Sequence, residues 1–195
     1  MVPPGRHVTG RRPPRPTERS VAEAGARYLE EEGYRTWLDP DGTDYFDLVA
    51  RRGDEVGLVE AKAAESRNVL AQALTRRVWG DWSAVLLGSA RAADGVERRS
   101  RGTRAAPVGV WTLEAGRVRV LRPARPWVRA GEPDPYADLR ARFRGILGAL
   151  ERGTIPEGLP WDHVPGSVRR ASHGRGFREW RLDESEPPDP ASGRE

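Results

Sequence analysis

YFDLVARRGDEVGLVEAK, residues Tyr45–Lys62, is the stretch on which the fold turns. Two runs suited to strands, Tyr45–Arg51 and Val56–Lys62, flank Gly53-Asp54, and a two-residue loop containing glycine between such runs reads as a β-hairpin. With that loop, Arg52 faces Glu55, and the numbers of facing residues sum to 107 along the ladder. Asp47 then lies opposite Glu60, and Tyr45 opposite Lys62. Facing side chains share one side of the sheet, with Cβ atoms about 4.5–5.5 Å apart. The other side carries Phe46, Leu48, Val59 and Ala61, a core-like set, while Val49 and Leu58 lie deeper on the carboxylate side. A slip of one residue would dismantle the arrangement.

Two facing carboxylates repel each other, and solvent, a shared proton, Lys62 or a divalent cation must offset that repulsion. Mg²⁺ commonly takes one or two carboxylates plus waters and a substrate phosphate. Asp47, Glu60 and the main-chain carbonyl of Ala61 are candidate ligands of such an ion, with Mn²⁺ as a substitute. Lys62 is the single lysine among 33 Lys and Arg residues, in a chain that otherwise uses arginine for positive charge. Its compact ammonium, unlike the fixed fork of arginine, suits the orientation of water and the steadying of charge on a phosphate. The plainer reading is an edge hairpin with a salt bridge.

The totals narrow the field. A chain of 195 residues builds one domain, or one with a small addition. There is no cysteine, which removes disulfides and thiolate metal sites and favours a cytoplasmic protein. The three histidines lie far apart in sequence and without metal-ligand spacing, so a zinc site is not expected. No apolar run is long enough for a membrane span, and no apolar signal core opens the chain. Net charge is +4 but uneven. Arginine concentrates in residues 1–16 and 91–129, and acids in 183–195. Basic stretches of this kind make a polyanion the first partner to consider, with Arg76, Arg77, Arg98, Arg99, Arg101 and Arg104 as candidate phosphate contacts. Arg169, Arg170, Arg175 and Arg178, near His173 and Trp180, form a second candidate patch. No helix-turn-helix spacing points to sequence-specific reading.

In order, residues 1–16 read as a disordered basic arm. A helix starts near Thr17 or Ser20 and ends at about Glu32, with Ser20 and Glu23 at capping-box spacing. Tyr34–Leu38 is a strand, followed by the hairpin. Ser66 or Asn68 caps a helix that carries Val69, Leu70, Ala73, Leu74 and Val78 on one stripe. Ser83–Gly88 has the continuous apolar character of a strand buried on both faces. Residues 89–106 read as a charged loop or frayed helix, and Val108–Leu121 as another hairpin. Residues 123–135 form a proline-rich linker, 136–182 a small C-terminal appendage opening with a helix at Tyr136–Arg152, and 183–195 a disordered acidic tail. The α/β domain is thus 17–122.

The order helix, three strands, helix, strand, with Asp47 on one strand and Glu60-Ala61-Lys62 on the next, resembles the PD-(D/E)xK, or restriction-endonuclease-like, nuclease superfamily. The resemblance covers roughly residues 17–90 and is nearest in style to small endonucleases and Holliday-junction-resolvase relatives. It implies an αβββαβ core with a mixed sheet, here extended by the extra hairpin and the C-terminal appendage. Phe46 stands where the pattern has proline. The resemblance further implies a Mg²⁺-dependent endonuclease that hydrolyses phosphodiester bonds in DNA. Asp47 and Glu60 would hold the metal, Lys62 would serve the attacking water or the developing charge, and Glu23 and Gln72 would be accessory. Symmetric DNA cleavage would suit a homodimer. The alternative is a catalytically silent module of the same fold that binds nucleic acid or a protein.

Overall fold

The computed structural model describes residues 15–39, 45–64 and 68–165. The acidic tail, the second arginine patch and all but the end of the basic arm lie outside these residues, as do His7 and His173. Six strands form one mixed sheet in the order β1 (Arg35–Leu38), β2 (Leu48–Arg52), β3 (Glu55–Lys62), β4 (Trp82–Leu87), β5 (Gly109–Glu114) and β6 (Arg117–Arg122). β3, β4 and β5 run parallel to one another, and the remaining neighbours are antiparallel. Four helices complete the architecture: α1 (Glu18–Glu31), α2 (Val69–Thr75), α3 (Ala90–Ser100) and α4 (Ala137–Glu151). A 3₁₀ turn, Arg76–Val78, follows α2 directly. The chain is therefore α/β, with helix, three strands, helix and strand in the expected succession.

The hairpin register is the one expected, with Arg52 paired to Glu55 and Leu48 to Val59. Gly53 has φ +62°, a left-handed conformation that glycine reaches without the penalty of a Cβ atom. Gly57 serves a different need. A Cβ there would lie 2.0 Å from the Trp82 ring, so its absence lets the indole cross β3.

Alternation along the strands divides the core between two faces of the sheet. On one face, Leu48, Ala50, Val59, Ala61, Ala84 and Leu86 pack under the α1 residues Val21, Ala22, Ala26 and Leu29. On the other, Val85, Leu87 and Val110 meet α2 and α3, while Val49, Val56 and Leu58 meet Trp79, Phe143 and Leu147. Burying a side chain such as Leu48 or Phe143 contributes about 1.5–3 kcal/mol.

Three expectations change here. Phe46 packs with Val49, Leu58 and Phe143 rather than with Leu48, because β2 begins at Leu48 and strand alternation does not govern the bend before it. Residues 90–100 form the regular helix α3, capped by Ser89 and buried through Ala92, Ala93 and Val96. Helix α4, expected within an appendage, supplies Phe143 and Leu147 to the core. It is tied to the sheet by an Arg51–Glu151 ion pair of 3.0 Å and by an Arg144–Asp81 pair.

Candidate functional site

The cluster forms where β3 ends, beside the first turn of α1. β1 and β2 remain paired just beyond their ladder, through Asp39 N–H donating to the Asp47 carbonyl at 3.1 Å. The Asp47 carboxylate turns across to β3, where Oδ2 accepts the Ala61 N–H at 2.8 Å. Glu60 and Lys62, two residues apart on β3, share a face. Lys62 Nζ lies 3.2 Å from Asp47 Oδ2 and 3.2 Å from Glu60 Oε1. The acid, acid and lysine singled out in the sequence therefore meet at one ammonium.

Two further residues complete the cluster. Glu18 Oε2, in the first turn of α1, lies 3.7 Å from Lys62 Nζ. Arg76 Nη2 donates to Glu60 Oε2 at 3.0 Å, so the two oxygens of this carboxylate face two different cations. The Arg76 guanidinium also lies over the Tyr45 ring, 3.8 Å from its centroid. Glu60 is 2% exposed and Arg76 8%. The Lys62 and Asp47 side chains, at 17% and 18%, reach the margin of solvent.

These surroundings change the acidities. Burial is the largest effect on Glu60 and raises its carboxyl pKa. Asp47 adds to the rise, while Arg76 and Lys62 work against it. For Lys62, burial opposes the ammonium, but Glu60, Asp47 and Glu18 together outweigh it and raise the pKa above the ordinary 10.5. Lys62 is thus a cation at neutral pH. With Glu60 ionised, three carboxylates against two cations give the cluster one net negative charge.

Other expected members fall elsewhere. Glu23 pairs with Arg19 at 3.0 Å on the outer surface of α1, its side chain 39% exposed. The capping box is formed by Thr17 and Ser20, three residues earlier than the spacing of Ser20 and Glu23 implied. That shift brings Glu18, not Glu23, into the first turn. Gln72 lies on α2 with its Oε1 buried and without a hydrogen-bond donor, and no hydrogen bond joins it to the trio among the described residues.

Arg76, expected to contact phosphate, is instead the buried partner of Glu60, because an acid on an apolar face requires a counter-charge. Arg77 is half-buried, and its carbonyl accepts from the Arg140 guanidinium. Arg98, Arg99 and Arg101 are exposed at the end of α3, where Arg101 pairs with Glu97 at 2.7 Å. Arg104 is also exposed. Trp79 and Trp82 are core residues. Glu18 could have been found by placing the cap at Thr17. Arg76 could have been found by asking what balances Glu60.

No family model matches this sequence. The search of curated proteins also returns no match. Among solved structures there is a match to the SPO1766 protein of unknown function from Silicibacter pomeroyi. It is 14% identical, covers 71% of this chain and 92% of that one, and has a TM-score of 0.39.

Among the described residues, no group of three or more His, Cys, Asp or Glu side chains is arranged to hold a metal ion. No helix among them is long and apolar enough to cross a membrane. The donor chemistry nevertheless fits a hard cation. Asp47 and Glu60 both reach one ammonium, so their oxygens converge, and two carboxylates are a sufficient protein contribution for Mg²⁺ when waters and phosphate complete the shell. A cation between them would displace Lys62 from its present contacts.

Proposed function

We propose that this protein is a metal-dependent nuclease of the restriction-endonuclease-like kind, hydrolysing phosphodiester bonds in DNA. The observation that carries this reading is the convergence of Asp47, Glu60 and Lys62, with both acids 3.2 Å from the one lysine. The succession of elements around the trio, and a mixed sheet whose third and fourth strands run parallel, accord with an αβββαβ core.

In the reaction, a water oxygen bonds to phosphorus, the phosphorus–oxygen ester bond breaks, and the leaving oxygen takes up a proton. Asp47 and Glu60 would hold the cation, with the Ala61 carbonyl as a further oxygen. When bound, Mg²⁺ supplies polarisation of the phosphoryl oxygen and a more acidic water. With all three carboxylates ionised, a divalent ion would turn the net charge of the cluster from one negative to one positive, which complements the single negative charge of a phosphodiester. Lys62 would orient the attacking water or steady the developing charge. Glu18 would hold the ammonium in place once Asp47 and Glu60 are engaged elsewhere.

One observation favours a second reading, a silent nuclease-fold module that binds nucleic acid or a protein. Glu60 is almost wholly buried, and its two oxygens are already paired with cations.

Full-length protein with Mg²⁺ or Mn²⁺, assayed on linear, single-stranded and branched DNAs, separates the two. Metal-dependent cleavage of at least one substrate supports the nuclease. Binding without turnover under every condition supports the silent module.

A further inference from the structure

Arg76 is not accounted for by the two carboxylates and lysine of the proposed centre, yet it makes the most buried ion pair of the cluster. Its guanidinium meets Glu60 Oε2 at 3.0 Å on one side. On the other sides it lies over Tyr45 at 3.8 Å and near the Phe46 ring at 5.4 Å. Its Nε is buried without an acceptor among the described residues. It sits on the 3₁₀ turn directly after α2, backed by Val78 and Trp79, which are packed into the core. Contacts on several sides thus fix the guanidinium, and the carboxylate it meets is fixed with it.

Resting on the metal-centre reading above, we propose that Arg76 is a positioning residue that makes this a one-cation centre. Two-metal sites hold their ions about 3.5–4 Å apart, and a carboxylate that bridges them with one oxygen on each ion needs both of its oxygens. Here Glu60 Oε2 is committed to Arg76, which leaves Oε1, the oxygen directed at Lys62, for a cation shared with Asp47. The fixed positive charge of Arg76 occupies the region beside Oε2 that a second ion would need, and repels that ion. Glu18, the first residue of α1, has a side chain 62% exposed and makes its ion pair with Lys62 Nζ at 3.7 Å, on the Oε1 side of Glu60. Arginine suits this task because its planar guanidinium can stack on Tyr45 while donating to the acid.

The test counts bound ions without reference to catalysis. Mn²⁺ is titrated into the full-length protein in the absence of DNA and followed by calorimetry and by electron paramagnetic resonance. The wild type is expected to bind one ion per chain, and Glu60→Gln to weaken that binding at least tenfold. Arg76→Ala is expected to bind two, with the spectral broadening of neighbouring Mn²⁺ ions. Arg76→Lys, which keeps the charge and is the milder change to the fold, is expected to bind one. Two ions in the wild type, or a second ion in Arg76→Lys, would overturn the one-cation proposal while leaving the metal centre intact. So would a single ion in folded Arg76→Ala. Absence of any Mn²⁺ binding by the wild type would overturn the metal-centre reading, and this proposal with it.

Discussion

The two ends of β3 carry the same kinds of residue in opposite circumstances. At its start, Glu55 pairs with Arg52 at 3.2 Å, with side chains 40% and 51% exposed. The same glutamate accepts the Trp82 indole N–H at 2.8 Å. Near its end, Glu60 pairs with Arg76 at 3.0 Å, with side chains 2% and 9% exposed. At the first end water can replace either partner. At the second it cannot, and Asp47 and Glu18 crowd Lys62, the other cation on Glu60. The contrast locates the cost of the cluster in desolvation and repulsion rather than in the presence of charge. Unfavourable concentrations of charge of this sort mark candidate functional sites.

The largest expected break in this contrast comes from removing a buried cation. Arg76→Met leaves Glu60 with Lys62 alone and is expected to cost about 3–5 kcal/mol at pH 7 in urea denaturation. A loss below about 1 kcal/mol would mean that the buried pair behaves like the exposed one.

A smaller effect follows from Asp47→Asn, which removes a repulsive neighbour of Glu60. The Glu60 carboxyl pKa is expected to fall, as read by carbon NMR of the carboxyl group. The sign for stability follows. Because the folded pKa of Glu60 is raised above its ordinary 4.5, its favourable contribution is present below that value and is lost as pH rises through the folded pKa. The substitution narrows that window from above. An unchanged or higher Glu60 pKa would show that Asp47 does not act on it through charge.

The smallest effect belongs to the exposed end. Arg52→Ala is expected to cost about 0.2–1 kcal/mol as an ion pair, and its stacking on Tyr34 at 4.4 Å places the result toward the upper part of that range. A cost equal to that of Arg76→Met would erase the distinction between the two ends.

Much of this was legible in the sequence where short-range rules apply. A two-residue turn fixes register, so Asp47, Glu60 and Lys62 could be brought together by arithmetic before any coordinates. The apolar run of β4 and the extent of α4 are equally direct. Strand alternation places Phe46 with Leu48, but alternation does not extend through the bend before β2. Glu23 comes from the resemblance, which maps an acid of the first helix onto it, whereas the cap at Thr17 brings Glu18 into the first turn beside Lys62. The burial of Arg76 depends on Tyr45, Phe46 and Glu60, which lie sixteen or more residues away, and no local pattern distinguishes it from a surface arginine. Helix α3 was obscured by its charges, although Ala92, Ala93 and Val96 have helical spacing.

The central claim is that the trio is a working phosphodiesterase centre, and its most direct test is single-turnover DNA cleavage by wild type and Lys62→Ala. The two are compared at saturating Mg²⁺, with circular dichroism verifying that the variant is folded. The account predicts Mg²⁺-dependent cleavage by the wild type and a loss of about 10²–10³-fold or more in the variant, the scale on which a single charge-stabilising group acts. Cleavage that persists at the wild-type rate in a folded Lys62→Ala protein would contradict it.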